Sequence, residues 1–176
     1  MQRWRVPLGF ACAALFFLFA QPRPWTLIVG GLIALSGLGL RAWATGHLRK
    51  NDALATTGPY AFTRNPLYLG SCVMGLGFTI AAGRVILGLV FAALFLGIYV
   101  PVMRVEAKTL AELFGKDYQE YATAVPLFRP RVSAYRHGNA KAKFDPALYR
   151  HYREYQATIG VVVAWLVLAI KWYWLK

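Results

Sequence analysis

Pro66 to Arg104, PLYLGSCVMGLGFTIAAGRVILGLVFAALFLGIYVPVMR, holds two apolar runs separated only by AAGR at Ala81–Arg84. Each run is close to the length, about 20 residues, that a helix needs to cross a hydrocarbon core of roughly 30 Å. A link so short turns the chain straight back, so the two runs are expected to form an antiparallel helical hairpin. At about 1.5 Å per residue the chain climbs about 27 Å from Pro66 to Gly83 and descends about 31 Å from Arg84 to Arg104. Arg104 and Glu106 should therefore return to the level of Arg64 and Tyr68. Small residues offer packing faces for the hairpin: Ser71, Gly75 and Thr79 on one run, Gly88, Ala92, Ala93 and Gly97 on the other. Pro101 is expected to kink the second run.

The rest of the chain has the same character. Hydrophobic residues make up 58% and charged residues only 15%, against about a quarter charged in a soluble domain. Further apolar blocks run from Trp25 to Trp43 and from Ile159 to Leu175. Val6–Ala20 is shorter. Leu18 stands where a leader peptidase needs a small residue, so this block reads as a retained first helix. The fold class is all-α: an integral membrane bundle of about five transmembrane helices. The chain, 1–176, reads as a single membrane domain with no internal repeat.

A net charge of +13 raises the question of nucleic acid. The charges flank apolar spans, and no soluble basic domain carries them, so nucleic-acid binding is excluded. The positive-inside bias explains them instead. It places the N-terminus and the polar segments 45–65 and 104–157 in the cytoplasm, with the C-terminus outside. Cys12 and Cys72 lie in apolar spans without a partner pattern, and His47, His137 and His151 are scattered. No metal site is expected.

Between the second and third spans lies GPYAFTRNPLYLG, residues 58–70. Asn65 precedes Pro66 and reads as the N-cap of the helix that Pro66 opens. A helix start offers unpaired N–H groups and partial positive charge, and Arg64 adds a full charge beside it. Tyr60 and Tyr68 supply aromatic faces for a flat ring or a cation. Glu106, returning on the hairpin, supplies the opposite sign. Such a pocket suits a small zwitterion carrying a carboxylate, an amine, a sulfonium and a purine.

The stretch at 58–70, together with VEAKTLAELFGKDYQEYATAVPLFRP at 105–130, resembles the isoprenylcysteine carboxyl methyltransferase family and its phospholipid methyltransferase relatives. The resemblance covers roughly residues 40–130. It implies an integral membrane enzyme using S-adenosylmethionine, with a lipidic or lipid-linked acceptor among the membrane lipids. Arg64, Asn65, Pro66, Leu67 and Tyr68 match the family's Arg-His-Pro-x-Tyr element, and Tyr60 the tyrosine of the preceding turn; these are the expected cofactor contacts. Asp52, Ala53, Leu54 and Ala55 fall on the short segment that lines the cofactor. Glu106 matches the first acid of a Glu-Glu pair that holds the cofactor's amino end. Arg104 is the nearest candidate for the arginine that holds the acceptor, and is assigned the catalytic role. The chain departs from the pattern at Asn65, where the family has histidine, at Asp52, and at Ala107, where the second acid is missing.

With no histidine in either motif, a carboxylate acceptor, which needs no general base, is favoured over an amine. Methylation of a phospholipid amine is the alternative. Sterol-type reduction with NADPH and a non-catalytic membrane role are the remaining readings. The segment FDPALYRHYREYQA, at 144–157, carries tyrosines and basic residues just before the last span, and together the amphipathic segment and span occupy 146–175. It reads as an interfacial anchor at headgroup level.

Overall fold

The computed structural model describes residues 14, 16–49, 52–136 and 143–174. Most of the expected first helix, Val6–Ala20, lies outside the described residues, as do Cys12 and His137. Among those described, the architecture is all-helical, with α1 (Pro24–Thr45), α2 (Pro66–Ala82), α3 (Val85–Ala124), a short α4 (Pro146–His151) and α5 (Tyr155–Trp174). A 3-10 turn at Gly58–Ala61 precedes α2. α1, α3 and α5 are long and apolar enough to cross a membrane, while α2 is apolar but shorter.

α1 and α2 are locked together by glycines at heptad spacing. A Cβ added at Gly30 would stand 2.4 Å from the Gly77 carbonyl oxygen, and one at Gly37 would stand 2.6 Å from that of Gly70. A Cβ at Gly77 would meet the Ala34 backbone nitrogen at 2.5 Å. The two backbones touch with no side chain between them, the close approach that small residues permit inside lipid. Thr26 Oγ1 crosses the same seam to donate to the Ala81 carbonyl at 3.2 Å. The small-residue packing expected between α2 and α3 is thus strongest on the other side of α2. Towards α3, the space opposite Gly75 is filled by the Phe91 ring, and Gly97 has nothing within 4 Å.

α3 is twice as long as the apolar run that starts it. It continues through Pro101 into the charged segment, and its one non-helical residue is Gly115 (φ 53°, ψ −121°). The break in the dihedral angles thus lies at this glycine, fourteen residues past Pro101. A Cβ at Gly115 would meet nothing within 4 Å. Glycine is needed there for the backbone angle, which side-chain-bearing residues avoid, and not for room. The turn swings Tyr118 and Tyr121 inward, where both are buried with Val125 against Leu54, Leu110 and Phe114.

α5 closes the other flank. Trp165 covers Gly31 and meets Phe78 at a ring separation of 5.3 Å. Leu168 joins Ala20, Leu27, Ala81, Ala82 and Leu87 in a buried apolar cluster. Lys171 Nζ donates to the carbonyls of Phe17 and Leu18, two acceptors at the end of the preceding helical stretch.

Candidate active site

The two sequence motifs hydrogen-bond to each other. Arg64 N–H donates to the Pro126 carbonyl at 3.0 Å, and Thr63 Oγ1 donates to that of Phe128 at 3.0 Å. In return, Arg131 N–H donates to Phe62 O and Tyr135 N–H to Ala61 O, both at 2.9 Å. The extended chain at 61–65 is thereby pinned by the loop after α3, whose proline-rich PLFRP cannot form helix. Asn65 is the N-cap residue by position, with Pro66 opening the helix, but its side chain caps nothing. Its Nδ2 donates instead to the Leu127 carbonyl at 2.9 Å. The asparagine therefore serves as a brace between motifs.

This brace presents Arg64 to a cavity of about 570 Å³ between α1, α2, α3 and the loop at 48–60. Arg64 Nη1 donates to Tyr118 Oη at 3.0 Å, and its guanidinium carbon lies 5.7 Å from the centre of that ring. Its Nε is buried and has no hydrogen-bond partner. A charged donor left unpaired in a buried place costs about 1–3 kcal/mol or more, so the hydrogen bonding of this guanidinium is left incomplete by the described residues. Glu106 is the cavity wall's carboxylate, and its Oε1 accepts from Tyr68 Oη at 2.7 Å. Tyr99, about two turns before Glu106 on α3, meets the Tyr68 ring at 5.3 Å.

Tyr60 is almost fully buried, and its carbonyl accepts from Tyr121 Oη at 2.7 Å. Burial pushes its hydroxyl well above the usual tyrosine range, and the Glu106 charge pushes the same way. It remains a neutral phenol.

Of the residues singled out in the sequence, Ala53, Leu54, Ala55, Tyr60, Arg64, Asn65, Pro66, Leu67, Tyr68 and Glu106 line this cavity. Asp52 and Arg104 are exposed and outside its lining. Arg104 is two residues from Glu106, about 200° round the helix, so the two side chains leave α3 in nearly opposite directions. Sequence reading did not assign Arg41, Ser71, Tyr99, Tyr118 and Tyr121 to the site; they line it together with Leu48, Arg49, Ala107, Thr109, Leu110 and Phe114. Tyr99, Leu110 and Phe114 follow from projecting the Glu106 face by threes, fours and sevens along α3. Tyr118 and Tyr121 continue the same count, four and seven residues past Phe114, but the non-helical Gly115 lies between, so the count alone does not place them. Among the described residues no group of three or more His, Cys, Asp or Glu is placed to hold a metal ion.

The chain has relatives. A cobalt-zinc-cadmium resistance protein of Cupriavidus metallidurans is 35% identical over 76% of this chain and 64% of its own length. A nickel-cobalt-cadmium resistance protein of Alcaligenes xylosoxydans xylosoxydans is 32% identical over 76% of this chain and 65% of its own length. The chain thus spans about two thirds of these curated relatives. A protein-S-isoprenylcysteine O-methyltransferase of Schizosaccharomyces pombe is 30% identical over 47% of this chain and 35% of its own. No solved structure matches. The family model for phospholipid methyltransferases matches residues 25–117, from the start of α1 to just past the Gly115 break, a range that includes both Arg64 and Glu106. The motifs that meet around the cavity, and this match across the helices that build it, make the chain a member of the phospholipid methyltransferase family.

Proposed function

We propose that the protein is an S-adenosylmethionine-dependent integral membrane methyltransferase of the isoprenylcysteine carboxyl methyltransferase type, acting on a lipidic or lipid-linked acceptor. The observation that carries this reading is the pairing of opposite charges in one cavity: the partnerless Nε of Arg64 and the carboxylate of Glu106. The donor set fits the cofactor. Arg64, beside the N-terminus of α2, suits its carboxylate, and Glu106 suits its amine. Ala53, Leu54, Leu110 and Phe114 offer an apolar wall for a purine. The cavity volume falls within the roughly 300–1,000 Å³ usual for small-molecule sites. When bound, S-adenosylmethionine supplies a methyl group on a sulfonium for transfer to a nucleophile.

The chain's own contribution is alignment and exclusion of water, which together supply most of what a displacement of this kind needs. Tyr60, neutral and buried, and Tyr121 seal the floor. Among the described residues no histidine lines the cavity, and its carboxylate, Glu106, is assigned to the cofactor's amine, so a carboxylate acceptor, which needs no base, is favoured. A second reading, methylation of a phospholipid amine, is favoured by the Tyr68–Tyr99 pair, whose faces suit a methylated ammonium. We take the whole chain as one membrane unit, multi-pass, with the hairpin of α2 and α3 bringing the site to the cytoplasmic face. The acceptor end is assigned to the Arg41 side of the cavity and not to Arg104.

Membranes with and without the protein, incubated with methyl-labelled S-adenosylmethionine and analysed by mass spectrometry, test this. Protein-dependent label in a lipid or lipid-linked ester supports it, and label in a headgroup amine selects the second reading. No transfer and no cofactor binding would remove both.

A further inference from the structure

Arg41, near the end of α1, faces the cavity but has a partner from far along the chain. Its Nε donates to Glu154 Oε1 at 2.6 Å and its Nη2 to Oε2 at 3.0 Å, a two-pronged grip on one carboxylate. Nη1 donates to Ser71 Oγ at 2.6 Å. Glu154 is only 7% exposed, and it lies beyond the residues that match the family. It arrives on the strap at 143–154, and its placement has a cost. Arg153, immediately before it, has φ 53°, and among the described residues no other non-glycine has a positive φ. Left-handed backbone at such a residue costs about 1–2 kcal/mol. The remainder of the strap lies at the surface, with Tyr149 Oη 3.2 Å from Thr158 Oγ1. α4 has no buried residue, Phe144 lies over Gly46 and His47 while 47% exposed, and Asp145 N–H donates to the Gly46 carbonyl at 2.9 Å.

A strained turn therefore delivers a carboxylate to a cation in the cavity wall, at the end of a segment, 143–153, in which no residue is buried. We propose that Arg41 is the anion site for the headgroup of the lipid acceptor, and that Glu154 is its resident counter-ion, displaced when that headgroup binds. This rests on the methyltransferase reading for the word acceptor, but the anion site itself does not. The bidentate geometry that Glu154 uses is the one a ligand carboxylate or phosphate would use. Glu154 acts through Arg41 and is a positioning residue, not a catalytic one.

The full chain in detergent is titrated with palmitate, hexadecyl phosphate and uncharged hexadecanol, and in parallel with S-adenosylmethionine. Wild type should prefer an anion to the alcohol, and the preferred anion names the headgroup chemistry. Glu154→Gln keeps the shape but removes the competing charge, so anion affinity should rise, by about tenfold for a partly buried pair, with the alcohol unchanged. Phe144→Ala, which loosens the strap without touching either charge, should raise it a few-fold. Arg41→Gln should remove most of the preference for anions, with S-adenosylmethionine present at saturation so that Arg64 is occupied. Cofactor binding should stay within a few-fold throughout. Unchanged or weaker anion binding in Glu154→Gln and Phe144→Ala overturns the proposal, and so does an anion preference undiminished in Arg41→Gln. A merely structural ion pair would lower stability without tightening any ligand. If wild type fails to bind S-adenosylmethionine, the methyltransferase reading falls and the anion titrations still decide Arg41.

Discussion

α2 has two faces that meet its neighbours in opposite ways. Towards α1 it presents Gly70 and Gly77, and the backbones come into contact. Towards α3 it presents Tyr68 and Gly75, against Tyr99 and Phe91, and rings stand between the helices. Phe95 extends the aromatic column, stacked on Tyr99 at 4.7 Å and meeting Phe128 at 5.8 Å. The tight face makes a rigid pair. The spaced face leaves room, and the cavity opens at its polar end, lined by the hydrogen-bonded pair Tyr68 and Glu106. A membrane bundle close-packed on every side would have no place for a cofactor; one spaced on every side would have no fixed wall.

The contrast is breakable by substitution, and the largest effect is expected on the tight face. Gly77→Ala puts a methyl group against the Ala34 and Gly30 backbones, which cannot rotate away. It should cost about 3 kcal/mol, seen as loss of monodisperse protein in detergent or a large fall in melting temperature. A wild-type melt would mean that the seam is looser than the glycines require. Next comes the cavity. Glu106→Gln should weaken S-adenosylmethionine binding by about 1.5–3 kcal/mol, as expected when a charge-assisted bond is lost. Arg104→Ala, on the far side of α3, should leave that affinity within a few-fold. Calorimetry on the two variants sharpens the division of the helix into a site face and an outer face, and similar losses in both would erase it.

Gly115→Ala should destabilise by about 1–2 kcal/mol, because the backbone there is left-handed while the space is open. The loss should be larger than that from any alanine placed in the preceding helical turn, by thermal melting. The smallest effect belongs to the spaced face. Gly75→Ala meets only the Phe91 ring, a side chain able to turn aside, and should cost about 1 kcal/mol or less. The pair Gly75→Ala and Gly77→Ala, two residues apart on one helix, is the sharpest form of the comparison. Equal effects would mean that α2 has no tight and loose face.

How much of this was legible beforehand differs from element to element. α1 and α5 coincide with apolar blocks to within a few residues, and α2 begins at Pro66 as its Asn-Pro start requires. α3 overran the apolar run because charge does not end a helix; it only marks where lipid gives way to water. Of the small residues expected between α2 and α3, Gly75 faces Phe91 and Thr79 faces Gly88, while the tight seam with α1 is made by Gly70 and Gly77, which that pattern did not single out; glycine spacing says that a helix can be approached closely without saying by which neighbour. Asn65 was placed correctly as an N-cap position and misjudged as a cap, because its amide found a carbonyl some sixty residues away.

Local rules acting within a turn or two could be read directly: the apolar runs, the proline that opens α2, the short Gly83–Arg84 link, and the Arg64 and Glu106 motifs that carry the family resemblance. These depend on the covalent chain and its immediate solvent, and the sequence by itself determined them. The side of α2 that is tight, the bend at Gly115 that turns Tyr118 and Tyr121 inward, the exclusion of Arg104 from the cavity and the reach of Glu154 to Arg41 were decided only in the tertiary structure. Each depends on which surfaces compete for the same space and which buried charge finds a partner, and such competition is settled between segments distant along the chain.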